Sequence, residues 1–139
     1  MIDYIAKEWG NNKNNLEEYF KNNIQDKYCH SYLDILKKVF ELVLIEEEYD
    51  LEKITQVDDG DYQGTLIFLI PKKTYQPSVD DYLITSVNYG SCSGCDTLQS
   101  IHEYDYERLP GEQEISSYML LALHLIQKMK TLGDILSNP

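Results

Sequence analysis

The sequence predicts an α+β domain, a three-stranded antiparallel sheet packed against helices in the order α-α-β-β-β-α-α. Three observations carry this expectation. Apolar residues recur at helical spacing before Glu46 and again after Gly111. Between Leu51 and Tyr89 the period changes to two, the mark of half-buried strands. The connections between those strands are short, which favours a meander of sequential neighbours. At 139 residues the chain fits one domain spanning 1–139. A chain of that size hides about two-thirds of its unfolded surface and folds without disulfides or metal.

The elements follow in order. Ile2, Ile5 and Trp9 have helical spacing, which Gly10-Asn11-Asn12 is expected to break. Asn14 or Asn15 then caps a short helix to about Asn22, with Leu16, Tyr19 and Phe20 on one face. Ser31 is placed to cap a longer helix, with Asp34 three residues on as its capping-box partner. Leu33, Leu36, Val39, Phe40, Val43 and Leu44 form its apolar stripe. Glu46-Glu47-Glu48 opposes the helix dipole and marks the exit to solvent. Leu51 to Val57 alternates as a first strand, and Asp58-Asp59-Gly60-Asp61 carries the Asp-Gly signature of a tight turn. Tyr62 to Ile70 is the return strand, apolar on both faces and therefore central, with Pro71 ending it. Tyr82 to Tyr89 is the third strand, and a short helix is expected over about Asp96 to Tyr104. Pro110-Gly111 breaks the chain before a long amphipathic helix marked by Ile115, Tyr118, Ala122, Leu125 and Met129. Gly133 reads as a stop.

The formal net charge of −12 is unevenly spread. Residues 1–40 hold six acids and six lysines, whereas residues 41–114 hold 17 acids against Lys53, Lys72, Lys73 and Arg108. Such a field repels phosphate backbones and favours basic partners, so direct nucleic-acid binding is not expected. The plainer account is a solvated face; the sharper one is a surface that imitates nucleic acid and occupies a basic groove. Twelve tyrosines against three phenylalanines suit a contact surface as well as sheet cover. The apolar runs, such as Leu66 to Ile70, are too short for a membrane span. Three cysteines and a start without signal-peptide character point to a reducing cytoplasm.

The most specific stretch is Tyr89-Gly90-Ser91-Cys92-Ser93-Gly94-Cys95-Asp96, a small-residue loop between a strand and an expected helix. Cys92 and Cys95 there support thiol–disulfide exchange, with Cys92 activated at the helix N-terminus. They also supply half of a zinc site, for which Cys29, His30, His102 and His124 are the remaining reserve. A third use is an anion or nucleotide cradle built from Gly90, Ser91, Ser93 and Gly94. Against all three stands a structural corner with packed free thiols. Cys29-His30-Ser31 lacks the glutamate of a zinc deaminase, and no Ser-His-Asp spacing, phosphate-binding P-loop or His-Glu-x-x-His occurs. The expectation is a protein that is not an enzyme and holds no cofactor.

Asp61-Tyr62-Gln63-Gly64 followed by Tyr89-Gly90-Ser91-Cys92-Ser93-Gly94-Cys95-Asp96-Thr97-Leu98-Gln99 resembles small uncharacterised proteins encoded by tailed bacteriophages, over roughly residues 58–102. The resemblance implies context: a phage accessory protein acting in bacterial cytoplasm. Small acidic phage proteins commonly bind and block host machinery, including restriction and CRISPR effectors. Residues and resemblance together give the leading expectation, a binding or inhibitor module that engages a basic surface on a host or phage protein. Its contact residues are expected to be Asp58, Asp59, Asp61, Tyr62, Tyr89, Ser91, Ser93, Tyr104, Asp105 and Glu107. A thiol-redox or zinc protein using Cys92 and Cys95, and a nucleotide-binding module using the Gly/Ser loop, are the alternatives.

Overall fold

The computed structural model describes residues 2–23, 30–45, 47–60, 64–89 and 109–137. Helix α1 (Ile2–Asn22) leads to α2 (His30–Val39), which continues as a π-helical turn (Phe40–Leu44). A 3-10 turn at Leu51–Lys53 precedes strands β1 (Thr55–Gly60) and β2 (Gly64–Pro71). A second 3-10 turn at Val79–Asp81 precedes β3 (Tyr82–Tyr89). Then come α3 (Glu112–Gln127), a short strand β4 (Lys130–Thr131) and α4 (Leu132–Ser137). The architecture is α+β, as expected, but among the described residues the sheet has four strands in the order β1-β2-β3-β4, each pair antiparallel.

Strand alternation sorts the sheet into two faces. Leu66, Phe68 and Ile70 of β2 stand opposite Val87, Thr85 and Leu83 of β3, and all six are buried. Helices α1, α2 and α3 cover that face with Ile5, Leu16, Phe20, Ile35, Leu36, Tyr118, Ala122 and Leu125. The rings of Phe20 and Tyr118 stack with centroids 5.1 Å apart and join α1 to α3. Each fully buried apolar side chain of this size contributes about 1.5–3 kcal/mol. The expected central position of β2 is observed, since it pairs with both β1 and β3.

Four expectations are corrected. First, α1 runs unbroken through Gly10-Asn11-Asn12. A helical glycine costs about 1 kcal/mol relative to alanine, yet the apolar face continues on both sides through Ile5, Leu16 and Phe20. The asparagines are ties between helices. Asn15 Nδ2 donates to the Leu42 carbonyl (3.0 Å), Asn12 Nδ2 to the Val43 carbonyl (2.8 Å), and the Tyr4 hydroxyl to the Leu44 carbonyl (3.2 Å). The last carbonyls of a helix lack intrahelical partners, and α1 supplies them side by side. Second, α2 begins at His30, so Ser31 sits inside its first turn.

Third, Asp58 and Asp59 belong to β1, paired with Leu66 and Thr65, and the connection is residues 61–63, outside the described residues. Leu51 to Lys53 is a 3-10 turn held by the Asp50 side chain, which accepts from the Glu52 N–H at 3.2 Å. Gly64 is required by close approach, because a Cβ there would lie 2.3 Å from the Asp59 carbonyl oxygen. Fourth, Gly133 does not end the chain's structure. After the turn at Lys128-Met129, β4 pairs Thr131 with Leu83 and Lys130 with Ile84, and α4 follows. The expected helix over 96–104 lies outside the described residues.

Thr85 joins the layers. Its buried hydroxyl donates to the Leu125 carbonyl at 2.5 Å. Leu125 is in the last turn of α3, where carbonyls are orphaned, so a strand residue caps a helix. Thr85→Val keeps shape but leaves that buried carbonyl unpaired, and is expected to cost about 1–3 kcal/mol in chemical denaturation; a loss no larger than a few tenths would show the bond to be dispensable.

Candidate functional site

The acidic surface begins where the core stops. On the helix-covered face, β1 presents Gln56, Asp58 and Gly60 opposite Phe68, Leu66 and Gly64. None of these is apolar enough to hold a helix, and all six residues of β1 are exposed. Asp58 and Asp59 point to opposite faces by strand alternation.

Tyr89 and Asp58, two of the expected contact residues, are brought together. In register, Tyr89 stands opposite Gly64, which stands opposite Gly60. The glycine between β1 and β3 has no side chain to obstruct the tyrosine, whose hydroxyl donates to Asp58 Oδ1 at 2.5 Å. Tyr89 is only 8% exposed. Its ring is therefore largely covered, and its hydroxyl ties the Asp58 carboxylate to β3. Asp59 lies on the other face beside Thr65, whose hydroxyl bonds Asn88 Oδ1 at 3.0 Å. Among the other tyrosines, Tyr75 is 96% exposed, while Tyr32 and Tyr118 are core residues. Asp61, Tyr62, Ser91, Cys92, Ser93, Cys95, Tyr104, Asp105 and Glu107 lie outside the described residues.

A second acidic feature was not expected from the sequence. A cleft of about 360 Å³ is lined by Glu41, Glu47, Asp50, Glu52 and Lys73 together with Phe40, Ile45, Tyr49 and Leu51. Residues 48–50 reach it by running antiparallel to 71–73: Tyr49 bridges Lys72, the Asp50 N–H donates to the Pro71 carbonyl (2.8 Å), and the Lys73 N–H to the Glu48 carbonyl (2.7 Å). Ile45 lies on the cleft with φ 49° and ψ 46°, a left-handed conformation that is costly for a β-branched residue. It ends the π-helical turn, its N–H donating to the Phe40 carbonyl. Local sequence offered no sign of it, since a glycine usually marks such a cap. Glu41 also accepts from Lys38 at 3.0 Å, and that bond holds the ammonium above the ordinary lysine pKa, against the opposing effect of burial.

Beside the acidic cleft, and sharing Phe40 and Tyr49 with it, lies an apolar cleft of about 330 Å³ lined by Tyr4, Ile5, Leu44, Leu83 and Met129. Among the described residues, no three His, Cys, Asp or Glu side chains group as a metal site requires, and no helix is long and apolar enough to cross a membrane. No family model matches the chain, and no curated protein or solved structure matches it either. The arrangement sets one fixed carboxylate, Asp58, beside the exposed Asp59 on an open strand, with an acidic cleft elsewhere on the surface.

Replacing Tyr89 with phenylalanine removes the support of Asp58 without altering ring packing. The expected loss is roughly 1 kcal/mol of stability, read by denaturant titration, because one hydrogen bond to a half-exposed carboxylate is lost. An unchanged midpoint would show that Asp58 is held by something else.

Proposed function

We propose that this chain is a non-enzymatic binding module, of phage-accessory type, whose acidic surface engages a basic surface on a host protein, a defence-system component being the target class that the resemblance suggests. The observation that carries the reading is the exposed β1 strand, with Asp58 and Asp59 at its end and Asp58 fixed by Tyr89. Charge supports it. From Glu41 to Gly60 the chain holds eight acids and a single base, Lys53, whose ammonium is 3.9 Å from Asp50. Carboxylates concentrated this way raise the local potential and speed encounter with a basic partner. Rigid placement of Asp58 lowers the ordering cost of each contact it makes.

The test is affinity capture from bacterial lysate with the tagged protein at low and high salt, read by mass spectrometry. One dominant partner, lost at high salt and lost when Asp58 and Asp59 are reversed to lysine, is the expected result. The double change Cys92→Ser with Cys95→Ser is expected to leave capture intact. A partner retained at high salt, or lost with the cysteines, contradicts the acidic-surface reading and favours the thiol or zinc alternative.

A further inference from the structure

The two edges of the sheet are treated differently. At one edge β4 is two residues long, starts with Lys130 and passes directly into α4. Short edges and lysines are the usual protections against unwanted strand pairing. The other edge, β1, is six residues long, without proline and without lysine, and every residue of it is exposed. It pairs with β2 on one side, and on the other side alternate residues direct their N–H and C=O groups outward. Thr55 and Val57 favour extended pairing. Among the described residues, the guard on this strand is the adjacent pair Asp58-Asp59.

We propose that the outer edge of β1 accepts an extended basic segment of the partner as a fifth strand of the sheet. The inference rests on the acidic-surface reading and specifies how that surface recognises its target. Adjacent acids on one strand face opposite sides of the sheet, so the added strand carries adjacent lysines or arginines, one over each carboxylate. Backbone pairing supplies affinity and the basic pair supplies register and selection. A second copy of this chain is the wrong occupant, because each copy brings a net charge of −12 and its own Asp58-Asp59 to the contact.

The test uses an eight-residue capped peptide, two adjacent lysines set among threonines and valines, titrated into isotope-labelled protein at low salt. A companion peptide has the same side chains but N-methyl groups on its four central amides, which removes strand pairing from both of its edges and keeps its charge. The expected result is shift changes confined to 55–60 and their β2 neighbours, with the methylated peptide binding at least about tenfold more weakly. Equal binding of the two peptides, or shift changes centred elsewhere, overturns strand addition and leaves the acidic-surface reading standing. Binding of neither peptide overturns both.

Discussion

The structure depends on how far one apolar face extends. Leu66, Phe68 and Ile70 of β2 and Leu83, Thr85 and Val87 of β3 form a two-strand patch that must be covered, and α1, α2 and α3 cover it. One strand further out the same face carries Gln56, Asp58 and Gly60, which give a helix nothing to pack against. The hydrophobic layer therefore ends at β2, and β1 stands in solvent on both faces. Burial, exposure and the position of the acidic surface all follow from that boundary.

Within the covered part, polar side chains do a job that glycine caps do elsewhere. The π-helical turn ends at Ile45 rather than at a glycine, and its carbonyls are taken by Tyr4, Asn12 and Asn15 of α1. The last turn of α3 is capped in part by Thr85 from the sheet. An orphaned carbonyl buried without a partner costs 1–3 kcal/mol or so, so these bonds fix the relative positions of the elements. The acidic and apolar clefts both border the π-helical turn, sharing Phe40 and Tyr49.

Much of this was legible in the sequence where periodicity was strong. The α+β class, central β2, the bounds of β3 and the start of α3 after Pro110-Gly111 all followed from apolar spacing and breakers. What was not legible depended on contacts across the chain. Gly10-Asn11-Asn12 looked like a break because its reason to be helical lies at Leu42 and Val43, about thirty residues away. Asp58-Asp59-Gly60 looked like a turn because local signals cannot show that the strand continues to Gly60 opposite Gly64. β4 is two residues long and has no period to detect. The Tyr89–Asp58 pair was in the expected set, but only the register across Gly64 shows why the two belong together.

The residues that make the core are absent from β1, and carboxylates that would be costly in a core stand there in solvent. That division requires the outer edge of β1 to be open in the free protein. Residue-resolved amide hydrogen exchange on the free protein tests it most directly. Strong protection is expected throughout the paired parts of β2 and β3, and alternation along β1, where amides directed at β2 are protected and those directed outward exchange as fast as loop amides. Uniform strong protection of residues 55–60 would contradict it, because the outer edge would then be covered in the free protein.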